Sequence, residues 1–221
     1  MKKNLNLLWV MLVSVVPVIY LAVVYSSLPG TVATHFGLKG EPDRFGPKST
    51  LWLSTGMLSL VGIGVWLLLT NVNKIDPKKS SENRKEVLSK LAWVVIGFLC
   101  LLSLIIIQSS KDGKLLYTRF IFSAVGLMFA LIGNYLPKIK QNYFAGFRTP
   151  WALESEYNWK ITHQVAGKYW FWGGLAMVAG TLVLPLRIGI IFFFAVALIM
   201  VAVPLVKSYK IFKEEKRKSA V

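Results

Sequence analysis

The sequence predicts an all-α, polytopic membrane protein with six transmembrane helices. Three observations lead there. Of the 221 residues 55% are hydrophobic, and mean hydropathy is +0.56. Six apolar runs approach or meet the roughly 17 to 25 residues a helix needs to cross a bilayer. Charge gathers between those runs instead of spreading evenly.

The runs occupy residues 5–28, 51–70, 91–107, 120–136, 169–184 and 188–206. The first follows Lys2 and Lys3 like a secretory signal. It exceeds a signal core, lacks an Ala-x-Ala type cleavage site, and is read as a retained span kinked at Pro17. Residues 29–50 form an outer loop rich in turn formers, among them Pro29, Gly30, Gly37, Gly40, Pro42, Gly46 and Pro47. The segment 71–90 is polar and reads as a flexible cytoplasmic loop. It divides a two-span region, 1–70, from a four-span region with a basic tail, 91–221.

In the fourth run Ser123, Gly126, Ala130 and Gly133 recur every three or four residues, so one helix face carries small side chains where a neighbour can approach closely. Gly173, Ala176 and Gly180 make a shorter stripe on the fifth, the shortest run, which borrows length from the amphipathic cytoplasmic stretch before it. Asn134 is expected at a helix interface or at the boundary with water. Only Pro185, Leu186 and Arg187 separate the last two runs, which predicts an antiparallel hairpin. The single cysteine, Cys100, falls inside the third run and is read as a packing residue.

Basic residues orient the chain. With both termini cytoplasmic, eighteen of the 26 Lys and Arg lie in inner segments and seven in outer loops, so the net charge of +16 follows from topology. Nucleic-acid binding is disfavoured, because no recognition motif accompanies the charge. The tail from Lys207 to Lys218 is expected against anionic lipids. The runs as bounded contain no Asp, Glu, Lys, Arg or His, which argues against an ion-coupled relay. Walker, His-Glu-x-x-His and Gly-x-Ser-x-Gly motifs are absent, and neither catalysis nor a cofactor is expected.

Two polar constellations remain. In NYFAGFRTPW, 142–151, Gly146 permits a turn, Thr149 can cap a helix and Pro150 suits its first position. A short interfacial helix is expected from about Pro150 towards the fifth run, with Glu154 and Glu156 near its positive end and Trp151 and Trp159 at the bilayer interface. Arg148 can pair with Glu154 or Glu156, with a lipid phosphate, or with an anionic peptide terminus. His163 shares a helical face with Glu156 and Lys160. The lysine would repel a metal ion, so a hydrogen-bonded structural histidine is favoured over a ligand. On the outer side His35, Glu41 and Asp43 would bind a metal or a basic peptide, or belong to a cap held by turn hydrogen bonds, the favoured reading.

The run 142–151, with Glu154, Glu156, Trp159, Lys160, Thr162 and His163 behind it, resembles the signature of the SdpI family of bacterial toxin-peptide immunity membrane proteins. LPGTVATHF, 28–36, with Gly40, Glu41, Pro42 and Asp43, is similar to an uncharacterised domain that often precedes that signature. The resemblance implies a multi-pass protein of the bacterial cell membrane that binds or neutralises a secreted antimicrobial peptide, with possible recruitment of a cytoplasmic transcriptional repressor. Asn142, Tyr143, Arg148, Trp151, Glu154, Glu156, Trp159 and His163 inside, and His35, Glu41 and Asp43 outside, are the candidate ligand or partner contacts. A transporter of a small hydrophobic compound is the alternative, and an unrecognised membrane enzyme ranks third.

Overall fold

The computed structural model describes residues 2–36, 41–76, 82–112 and 116–219. Its helices are α1 (Lys2–Val24), α2 (Thr50–Ile75), α3 (Glu82–Asp112), α4 (Leu116–Tyr135), α5 (Pro150–Glu154), α6 (Glu156–Val183) and α7 (Leu186–Lys218). Five of them, α1, α2, α3, α4 and α7, are long and apolar enough to cross a membrane. The fifth predicted run is the apolar end of α6, a single helix that begins at Glu156 in the polar signature and continues to Val183. Pro17 sits within α1 without ending it.

The outer loop differs from expectation. Thr31–Phe36 (β1) and Pro42–Pro47 (β2) pair as an antiparallel hairpin, with register shifts around His35. β-branched Thr31, Val32 and Thr34 favour the extended backbone. Val32, 1% exposed, anchors the hairpin to Leu21, Leu28, Leu51 and Ile107. Lys48 secures its base, donating to the Tyr25 carbonyl at 3.0 Å while lying over the Tyr25 ring. The turn glycines Gly37 and Gly40, and Pro77, Ser80 and Ser81 of the predicted flexible loop, lie outside the described residues, whereas 71–75 and 82–90 of that loop are helical, the ends of α2 and α3.

α4, α6 and α7 pack as one group and α1, α2 and α3 as another, and the two groups meet where α3 packs on α4. The predicted small-residue stripe of α4 meets α6. A Cβ on Gly133 would lie 2.4 Å from the Phe171 nitrogen, and one on Gly174 would lie 2.4 Å from the Ala130 nitrogen. Ser123 and Thr181 hydroxyls pair across this seam at 2.8 Å, and Thr181 also donates to the Met177 carbonyl, which leaves Ser123 as the donor to Thr181. Gly173 and Gly180 present the other side of α6 to α7, against Met200 and Phe192. α6 is therefore gripped on two faces, by close backbone approach to α4 and by α7 side chains seated on its glycines. Asn134 is exposed.

Overpacking tests this seam. Gly174→Ala should destabilise the protein by about 1 to 3 kcal/mol despite alanine's better helix propensity. Gly64→Ala, where no atom lies within 4 Å of the added Cβ, should be neutral or slightly stabilising. Thermal unfolding in detergent measures both, and equal behaviour of the two variants would contradict the packing.

Candidate functional site

The chain leaves α4 through the 3-10 turn Leu136–Lys138 and returns to helix at Pro150. Between them it must satisfy backbone groups that no helix ladder serves. Asn142, fully buried, does much of this. Its Oδ1 accepts from the Phe144 and Ala145 N–H groups at 2.8 and 2.7 Å. Its Nδ2 donates to the Lys140 and Ala145 carbonyls at 2.9 and 3.0 Å. Arg148 donates to the Tyr143 carbonyl at 2.8 Å, whereas Glu154 and Glu156 are exposed on the following helices.

His163 closes the loop onto α6. Its Nδ1 lies 2.8 Å from the Trp159 carbonyl, which can only accept, so Nδ1 carries the proton. Nε2 then accepts the Phe147 N–H at 3.0 Å. Both ring nitrogens are engaged, and the ring stacks on Trp159 with centroids 4.0 Å apart. Among the described residues no three His, Cys, Asp or Glu side chains gather where a metal could bind. Gly146 is required twice over: its φ is +109°, and a Cβ there would come within 2.2 Å of His163 Nε2.

Capping follows the sequence and then exceeds it. Thr149 accepts from the Ala152 N–H and starts α5, as its Thr-Pro pair predicted. Ser155 then caps α6 through the Asn158 N–H and donates to Glu215 at 2.7 Å. Behind this corner is a buried polar cluster that sequence reasoning missed. Asn158 and Ser208 are both 0% exposed. Asn158 Nδ2 donates to the Ser208 carbonyl, while its Oδ1 accepts from the Ser208 and Thr162 hydroxyls at 2.7 and 2.9 Å. Ser208 Oγ also accepts the Trp151 indole N–H at 3.0 Å, and that indole stacks on Phe212. The other signature tryptophan, Trp159, is buried and donates to the Ile139 carbonyl at 2.7 Å.

The first turns of the predicted basic tail are therefore part of the signature's core. Asn158 and Thr162 share a helix face, which was a legible signal. Ser208 carried none, because a serine beside Lys207 reads as solvated surface.

The outer candidates sit at the opposite end of the bundle. His35 Nδ1 and Asp43 Oδ1 are 2.6 Å apart across the hairpin, both well exposed, and Glu41 is exposed beside them. The structure thus separates the eleven candidates into eight at the signature, of which Asn142, Trp159 and His163 are buried, and three solvent-facing ones at the hairpin.

Burial lowers the His163 pKa from 6.5 to about 4, only partly opposed by its bond to the Trp159 carbonyl. A group held neutral in this way contributes stability in full above pH 6.5 and loses it as pH falls towards 4, a span on the order of 3 kcal/mol. His163→Gln should flatten that part of the pH dependence of thermal unfolding, and an unchanged slope would place the titration elsewhere. Gly146→Ala should cost roughly 3 kcal/mol or more through backbone strain and collision with the imidazole.

Residues 138–208 match the SdpI/YfhL protein family, and residues 12–58 match DUF1648, a domain of unknown function. The immunity protein SdpI of Bacillus subtilis strain 168 is 29% identical over 90 residues, 41% of this chain and 44% of that protein. An uncharacterised protein of Archaeoglobus fulgidus is 43% identical over 57 residues, 26% of this chain and 29% of that protein. The chain thus aligns with less than half the length of either relative. No solved structure matches it. The family region opens at the turn that ends α4 and closes at Ser208, so it contains the Asn142 loop, the His163 contact and the Asn158–Ser208 cluster. The chain is a multi-pass membrane protein whose residues 138–208 match the SdpI/YfhL protein family and whose residues 12–58 match DUF1648.

Proposed function

We propose that this chain is a membrane immunity protein that binds and neutralises a secreted antimicrobial peptide without catalysis. The observation that carries the reading is the similarity to an immunity protein over 90 residues, together with a family region built as a packed unit of loop, α6 and α7. A site that needed to move substrate or protons would be expected to leave titratable groups facing a path. Here His163 has both nitrogens bonded, and Asn158 and Ser208 are enclosed. Such a region suits a scaffold that holds one helix arrangement and presents Tyr143, Arg148, Glu154 and Glu156 to a partner, of which a cytoplasmic transcriptional repressor is one candidate.

In this reading α6 is a sixth span. Its 28 residues reach about 42 Å at 1.5 Å per residue, so the last 20 or so cross a core of about 30 Å while the polar turns that hold Asn158 and His163 stay on the cytoplasmic side. Both termini and the signature face the cytoplasm and the hairpin faces outward, where His35, Glu41 and Asp43 meet the peptide first. The basic C-terminal end of α7 lies along anionic lipids.

In a Cys100→Ser background, a cysteine at position 43 should be labelled from outside intact cells and one at position 154 should not; the reverse pattern would invert the topology. Protection of a sensitive bacterium against candidate peptides tests the function. At matched membrane abundance Arg148→Ala, Trp151→Ala and Ser208→Ala should each weaken protection more than Lys213→Ala, since Trp151 and Ser208 share one hydrogen bond. Purified protein should capture the peptide without flux. Sustained, gradient-dependent transport in proteoliposomes would favour an exporter instead.

A further inference from the structure

A cavity of about 720 Å³ opens between the two helical units at the hairpin end of the bundle. Val16 and Tyr20 of α1, Leu104 of α3, Phe120 and Leu127 of α4 and Val178 of α6 line it. Its size falls within the roughly 300 to 1,000 Å³ of ligand sites. The lining is aliphatic and aromatic, and its polar groups are already paired: Tyr20 donates to Gln108, and Ser123 to Thr181. Such a surface suits a hydrocarbon chain, which asks for no hydrogen bonds.

The rim is cationic. Lys111, exposed, lies one turn beyond Gln108 on α3. Arg119 precedes Phe120 on α4 and reaches across to the Leu182 carbonyl at 3.0 Å, one turn beyond Val178 on α6. Positive side chains therefore stand on both flanks of the mouth. In sequence the connection from 111 to 119 carries Lys111, Lys114 and Arg119 against the single Asp112. Lys111 and Arg119 stand near helix ends, the level at which lipid phosphates lie. An apolar slot below and cations above is the complement of an anionic amphiphile.

We propose that this cavity binds one chain of an anionic phospholipid, whose headgroup phosphate is held between Lys111 and Arg119. The site is separate from the signature, so its occupancy does not depend on which peptide, if any, the protein recognises. Bound lipid would join α1 to α4 and α6, which α1 scarcely touches directly, beside the packed α3–α4 seam.

Native mass spectrometry of the full chain in detergent tests this, with phosphatidylglycerol, phosphatidylcholine of the same acyl chains, and oleate as probes. One phosphatidylglycerol per chain should be retained, at least tenfold more tightly than phosphatidylcholine. Lys111→Gln with Arg119→Gln should weaken that retention about tenfold and erase the preference. Ala124→Phe should block binding by filling the cavity. If that variant fails to fold, Leu127→Trp, at a position 45% exposed, narrows the same space from its open side. Equal retention of both phospholipids, or retention indifferent to the filling variants, would mean annular lipid only and overturn the proposal. Preferential retention of oleate would overturn it in favour of a free fatty acid. A dimer abolished by the filling variants would overturn it in favour of a second copy of the chain.

Discussion

The structure turns on backbone polar groups between α4 and α5 that must be satisfied without a helix ladder. In or near lipid an unpaired N–H or carbonyl costs several kcal/mol, so irregular backbone persists only where side chains replace the missing bonds. Asn142 supplies four hydrogen bonds from one side chain, and His163 adds the Phe147 N–H. That last bond requires the imidazole to press against Gly146, which explains why the loop needs a residue without a Cβ there. Loop geometry, histidine protonation and glycine identity are one constraint seen from three sides.

From that loop the constraint passes into α6. Trp159 and His163 stack at its polar end and Asn158 reaches Ser208 on α7, while further along glycines let α4 and α7 approach on different faces. Polar and steric devices thus alternate along a single helix. The hydrogen bonds act where water is near and the alternative partner is solvent. The close glycine contacts act deeper, where dispersion between backbones is the available attraction. Because α6 is uninterrupted from Glu156 to Val183, a displacement at the signature has a rigid route to the hairpin end. This route is a consequence of helix continuity.

The hairpin end is built on different terms. Val32 and Leu28 are buried against α1, α2 and α3, but His35, Asp43 and Glu41 stay in solvent, where an ion pair contributes at most about 1 kcal/mol. The pair is thus better suited to contact than to stabilising the cap. The two ends divide the labour: one is packed and hydrogen-bonded, the other anchored by a few apolar side chains and open above.

Much of this was legible in the sequence. Apolar run length marked the helices, small residues every three or four positions marked the α4 seam, and Thr149-Pro150 marked the start of α5, because each feature depends on local spacing and backbone chemistry alone. The match to the SdpI/YfhL family was legible through residues 142–163 for the same reason: the turn and cap chemistry is contiguous in the chain. What sequence could not supply was pairing over distance. Ser208 became a buried hub only when α7 folded back across 50 residues to meet Asn158, and His163 acquired its bound, neutral state only when the Phe147 N–H was brought to it. The turn-rich outer segment became a hairpin because a buried Val32 fixed its register to the bundle. Local patterns determine which elements form, whereas the partners of a polar side chain are decided by which elements close packing places beside it.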